Sequence, residues 1–177
     1  STIAITAVND PPTANGFTNL PAQAGIPITY PAAKLGGTDP EGTAITINLT
    51  PDSLCSGCLL TLNADGSFTF TPPPSAAGTT VSFTYHVTDS GSPLPAQDSA
   101  PATVSFLVAG PAIYFVKQAA VGTGNCTLNN ECTLGTAVTN IGATTNTRIF
   151  ISDANSHTAA VPLNSSGWLI GQGVSTA

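Results

Sequence analysis

Hydrophobic residues recur at every second position in a series of short runs, the pattern of strands that bury one face. The clearest is VSFTYHVTD at 81–89, where Val81, Phe83, Tyr85 and Val87 fall on one side and Ser82, Thr84, His86 and Thr88 on the other. The same alternation links Ile26, Ile28 and Tyr30; Ile45, Ile47 and Leu49; Leu60 and Leu62; Phe68 and Phe70; and Ala102, Val104, Phe106 and Val108. Turn-forming segments separate the runs: GGTDPEG at 36–42, NADG at 63–66 as a tight hairpin, and PPPSAAG at 72–78. About seven short strands in about 100 residues predict a β-sandwich over residues 9–110.

Both flanks of this region differ from it. Residues 2–8, TIAITAV, alternate with Ile3, Ile5 and Ala7 on one side until NDPP stops them. Since a complete sandwich follows, segment 1–8 is expected to be an orphan strand from a preceding repeat, free to be donated to another sheet. At Gly110–Pro111 the texture changes, and residues 111–177 form a second unit that opens with the apolar strand AIYFV. Within TLGTAVTNIG, Leu134, Ala137, Val138 and Ile141 recur at helical spacing and predict a short amphipathic helix. Three further strands are expected in TRIFIS, HTAAVPL and GWLIGQG. The fold class is therefore all-β, with one short helix.

Composition narrows the partners. Three Lys+Arg oppose nine Asp+Glu among 177 residues, a formal charge of −6, so no basic surface exists to neutralise phosphates and no nucleic-acid partner is expected. Charged residues are 7% and hydrophobic residues 41% of the chain, yet no apolar run approaches the roughly 18 residues of a membrane span, and no direct membrane insertion is expected. The chain starts at Ser1 and contains no Met, which suggests a processed or excised part of something longer. The four cysteines form two local pairs, Cys55 with Cys58 and Cys126 with Cys132, read as disulfides made in an oxidising compartment. A zinc site would need all four thiolates to converge from segments about 70 residues apart, at spacings unlike a paired finger. A thioredoxin-like CxxC needs a helix N-terminus, whereas Cys55 and Cys58 lie between strand-like runs.

With VNDPPTA, GTDPEGTAITINL, LTLNADGSFTFTP, GTTVSFTYHVTD and SGSPLPAQDSAPATVSFLV in view, the first unit resembles a bacterial cadherin-like or bacterial Ig-like tandem repeat over residues 9–108. The resemblance implies a secreted, extracellular or cell-surface location, and calcium at the pole that meets the preceding repeat. Its ligands would be Asn9 and Asp10 from the linker, Asp39 and Glu41 from the acidic turn, and Asp89 from the end of a late strand. Ca²⁺ takes six to eight hard oxygen ligands, and clustered carboxylates need a cation to neutralise them. The same residues also read as a turn cap, a residue before proline and a strand end. Ligands from a preceding repeat would be missing with that repeat, leaving a partial site.

The second unit resembles the start of a right-handed parallel β-helix of bacterial adhesins and polysaccharide-active proteins. IYFVKQAAVGTGNCTLNNECTLGTAVTNI carries the likeness to an opening strand and capping helix, and VPLNSSGWLIGQGVS the likeness to a first coil. Such coils bury a continuous core only when about three or more stack.

No catalytic constellation emerges, and no enzymatic activity is expected. Sugar hydrolysis needs two carboxylates facing across a cleft, whereas the acids here lie in turns or at strand ends; Glu131 and Asp153 alone fall in the second unit. His86 sits on the polar face of its strand, and His157 has Asp153 and Ser156 only as loop neighbours. Nucleophile-elbow and phosphate-loop motifs are lacking. Trp168 reads as a cap over the second core in preference to a sugar-stacking platform. Asn48, Asn125 and Asn164 fit N-x-Ser/Thr at a frequency chance would give.

These readings predict a non-catalytic structural or adhesive module of a secreted surface protein or fibre. Its partners would be copies of itself or neighbouring repeats, associating end to end by strand pairing, or a glycan or cell-surface ligand. The alternatives are an accessory domain of a polysaccharide-active β-helix enzyme and a carbohydrate-binding module.

Overall fold

The computed structural model describes residues 6–120, 124–157, 161 and 166–171, without the side chains of 49–52. Among the described residues nine strands precede residue 110. In chain order they are β1 (Thr13–Ala14), β2 (Phe17–Gln23), β3 (Ile28–Tyr30), β4 (Gly37–Thr38), β5 (Ile45–Leu54), β6 (Leu59–Leu62), β7 (Phe68–Thr71), β8 (Thr80–Asp89) and β9 (Ala102–Ala109). A four-stranded sheet, ordered β2-β9-β8-β5, faces a three-stranded sheet ordered β3-β7-β6, and β1 and β4 form a small separate pair.

The alternation read from β8 is the alternation that packs. Phe83, Tyr85 and Val87 are fully buried, and Val104 and Phe106 on β9 join them. Phe68 and Phe70 close the core from the opposite sheet, with the Phe70 ring stacked on Phe106 at 3.8 Å between centroids and 6° between planes. Buried aromatic pairs contribute about 0.5–1.5 kcal/mol beyond the area they remove from water. The hairpin at NADG forms as expected: Leu62 pairs with Phe68, and Gly66 turns with φ +80° while its N–H bonds the Asn63 carbonyl at 3.0 Å.

Two departures have local causes. Strand β3 begins at Ile28, leaving Ile26 only an isolated bridge to Gln23. Strand β2, absent from the alternation pattern, contains Pro21 and a left-handed Asn19 (φ 55°) beside a register shift, and it runs parallel to β9 as the sheet's edge. An edge strand tolerates proline because one row of its backbone groups has no ladder partner.

The second unit contains β10 (Ala112–Val116), the helix α1 (Leu134–Ile141), β11 (Thr147–Ile151) and β12 (Trp168–Gly171). The three strands form a parallel sheet in sequence order, aligning Tyr114 with Ile149 and Leu169, and Phe115 with Phe150 and Ile170. The expected helix is present. Thr133 caps its start by accepting from the Thr136 N–H at 3.2 Å, and Leu134, Ala137 and Ile141 enter a core with Tyr114, Val116 and Ile149. The strand expected in HTAAVPL lies mostly outside the described residues.

The two units are docked closely. Gln23 donates through Nε2 to the Pro111 carbonyl at 2.8 Å, and the Leu128 N–H bonds the Gly25 carbonyl at 2.9 Å. Gly25 has φ +81°, and any Cβ placed there would overlap the Ile113 carbonyl oxygen.

Candidate functional site

Among the five residues proposed as calcium ligands, Asn9 bonds Asp89 and Asp10 bonds Glu41. Asp89 ends β8 opposite Ile45, the first residue of β5, and lies buried. Its Oδ1 accepts from the N–H groups of Gly91 at 2.7 Å and Gln97 at 3.0 Å, and its Oδ2 from Asn9 Nδ2 at 2.9 Å. Asn9 Nδ2 also reaches the Pro95 carbonyl at 3.0 Å, and the Gln97 side chain donates to the Asn9 carbonyl. Burial pushes the Asp89 carboxyl up, but the donors on Gln97, Asn9 and Gly91 outweigh it and hold the group below its ordinary value.

The neighbouring acids play turn roles. Asp39 accepts the Thr43 N–H on Oδ1 at 2.7 Å, and the exposed Glu41 accepts the Asp10 N–H at 3.2 Å. A calcium ion needs oxygens that converge on one point. Here Asn9 turns its amide nitrogen toward Asp89, and both Asp89 oxygens already accept from N–H donors. Among the described residues no three His, Cys, Asp or Glu side chains come together in a metal-binding group. Asn9 Oδ1 and Asp39 Oδ2 are buried without a partner among the described residues, while both Asp89 oxygens, Asp39 Oδ1 and Glu41 Oε2 already accept N–H groups. Gln97 went unnoticed in the sequence because SPLPAQD has no periodicity to mark it.

The expected disulfides are formed, Cys55 to Cys58 and Cys126 to Cys132. The second pair is buried, and its loop zips onto the free side of β10: the Phe115 N–H bonds the Cys126 carbonyl at 2.8 Å, and the Cys132 N–H bonds the Phe115 carbonyl at 3.1 Å. Of the strand proposed for donation, Ile3 and Ile5 lie outside the described residues; Ala7 is exposed, in a stretch assigned to no strand.

At the C-terminal ends of β10 and β11, Asp153 accepts from Gln118 N–H at 2.6 Å and from Asn155 at 3.1 Å, and lies 2.7 Å from His157 Nε2. The His157 bond, followed by that from Gln118, lowers the Asp153 carboxyl to about 2. Ser156 joins this network through its backbone carbonyl, which accepts from Gln118 Nε2 at 3.1 Å.

Trp168 corrects an expectation. Instead of capping the core it is 61% exposed, with the Arg148 guanidinium 5.4 Å from its ring centroid. Period-two alternation explains this: Leu169 aligns with the buried Ile149 on the core face, so Trp168 aligns with Arg148 on the outer face.

The sequence profile of the bacterial Ig domain family matches residues 9–107. No curated protein sequence matches the chain. Among solved structures, a nucleoside hydrolase-related hypothetical protein from Saccharophagus degradans associated with carbohydrate metabolism aligns at 20% identity and a TM-score of 0.44. The alignment covers 58% of this chain and 26% of that one, so the chain spans about a quarter of that protein's length.

Proposed function

Because the chain belongs to the bacterial Ig domain family, we propose that it serves as a non-catalytic structural and adhesive module of a secreted bacterial surface protein or extracellular fibre. The observation that carries this reading is the docking of the two units through Gly25, Gln23 and Pro111, which suits a stiff spacer. Two disulfides suit an oxidising location. Among the described residues no helix is long and apolar enough to cross a membrane.

The second unit is read as the first coils of a right-handed parallel β-helix. Support comes from three parallel strands in sequence order whose apolar residues stack in register, Tyr114 on Ile149 on Leu169. End-to-end association of copies is part of the proposal, because β12 is an edge strand among the described residues and exposed strand edges invite pairing. The N-terminal pole is taken to be held by Asn9, Asp89 and Gln97 without calcium.

Small-angle scattering tests the spacer, with a single narrow length distribution expected; a broad one would show a flexible joint and overturn it. Light scattering on the full chain and on a chain lacking residues 1–8 tests association. Mass should rise with concentration only in the full chain, and a monomer at every concentration defeats the strand-pairing idea alone.

A further inference from the structure

Between the two units lies a cleft of about 250 Å³, lined by Ser56, Pro74, Ser75, Tyr114, Asn125 and Asn140 among others. We propose that it binds a neutral sugar, a free monosaccharide or the terminal unit of a glycan, a role that goes beyond that of a spacer.

The central observation is Tyr114. It is 1% exposed, it lines the cleft, and its hydroxyl has no hydrogen-bond partner among the described residues. A buried hydroxyl left without a partner is destabilising, and a ligand seated in the cleft that Tyr114 lines is the candidate to supply one. Burial also raises the Tyr114 pKa, so the group is a neutral O–H at any physiological pH.

The rest of the lining specifies the ligand class. No side chain in it is charged, so a phosphate, a carboxylate or a cation would find no counter-charge. Hydroxyls of Ser56 and Ser75 and amides of Asn125 and Asn140 offer donors and acceptors together, the mixture that vicinal hydroxyls of a sugar require. Pro74 adds an apolar wall. At about 30 Å³ per water the cleft holds roughly eight waters, a volume that also suits one sugar ring.

The site is preorganised from both sides. The Cys55–Cys58 disulfide closes the turn carrying Ser56, and Cys126–Cys132 begins one residue after Asn125. Asn125 Nδ2 spans the rims to reach the Gly57 carbonyl at 3.3 Å. Rims fixed before binding reduce the ordering cost that binding must overcome.

The test is a ¹H–¹⁵N NMR titration of the intact chain with D-glucose, D-galactose and N-acetyl-D-glucosamine, each to about 20 mM, a range that detects millimolar affinity. D-glucuronate is the charged control. Saturable shifts at Gly57, Gly124, Asn125 and Asn140 are expected with at least one neutral sugar and not with glucuronate. Tyr114→Phe keeps the ring and should weaken that binding about tenfold; Asn140→Ala, on the helix surface, should do so independently. Absence of saturable shifts with all three sugars overturns the proposal, as does equal binding of glucuronate or unchanged affinity in both variants. If Tyr114→Phe raises the melting temperature while no sugar binds, the cleft holds only water.

Discussion

The sandwich and the unit that follows it solve the same burial problem in different ways. The sandwich closes its core between two sheets, with Phe68, Phe70, Phe83, Tyr85, Val104 and Phe106 all at 0% exposure. The second unit has a three-stranded sheet with one helix on its core face, a buried disulfide in place of several aromatic rings, and an edge strand whose Trp168, Leu169 and Ile170 remain exposed. A core shared between two sheets is complete within one repeat, whereas a stack of parallel strands completes its core only by adding neighbours. The first unit can therefore hold itself together, and the second depends on the surface that Pro74–Ala76 and Gly25 provide.

The largest expected effect breaks the sandwich. Phe106→Ala removes a ring stacked on Phe70 and should cost about 3–5 kcal/mol. Denaturation followed by near-UV circular dichroism should show both units melting in one transition, since the second unit loses its platform; two separated transitions would show that the units are independent.

A somewhat smaller effect isolates the second unit. Replacing Cys126 and Cys132 with Ala should cost about 2–3 kcal/mol, the loop-closure value for so short a ring, with further loss from packing at this buried position. The same change at Cys55 and Cys58, where Cys55 is only partly buried, should cost about 2 kcal/mol or less. Equal losses would mean that the second core does not lean on its disulfide.

At the sandwich pole, Asn9→Ala removes one donor from Asp89 and should cost about 1–2 kcal/mol. The wild-type melting temperature should be the same in CaCl2 and in EDTA. A calcium-dependent rise of about 2–4 °C, the shift for 1 kcal/mol in a chain of this size, would return Asn9 Oδ1 and Asp39 Oδ2 to the role of ligands.

The smallest effect is a pH dependence. Asp153 has a folded pKa of about 2, below its unfolded value near 4. The stability it contributes is therefore present above pH 4 and lost as pH falls toward 2. Asp153→Asn should lower the melting temperature at pH 7, where the carboxylate contributes, and flatten its dependence on pH between 4 and 2; an unaltered slope in that window would remove Asp153 from the acid response.

What was legible in the sequence divides along physical lines. Strands β8 and β9, the hairpin at Asn63–Gly66 and α1 were readable because each is governed by a short-range rule: alternation, turn chemistry or a helical stripe. Strand β2 was hidden because its stability comes from pairing with β9 about 85 residues away, and Pro21 and Asn19 contradict local propensity. At the pole, no local pattern announces the contacts of Asn9 with Asp89 and of Asp10 with Glu41. Nor does composition reveal that Asn9 presents nitrogen to Asp89, or that Gln97 arrives from a loop with no pattern of its own. Trp168 was misassigned by residue type, although its position in the alternation with Leu169 pointed outward.

Gly25 carries a consequence for how such proteins can be assembled in evolution. Genes built from tandem modules change by duplication and exchange, and a sandwich transplanted to precede a unit like residues 111–177 must leave room for the Ile113 carbonyl. Only a module with glycine at that turn can do so without pushing its neighbour away. A single codon thus acts as a compatibility mark: it separates sandwiches that can precede this parallel-stranded unit from those that cannot.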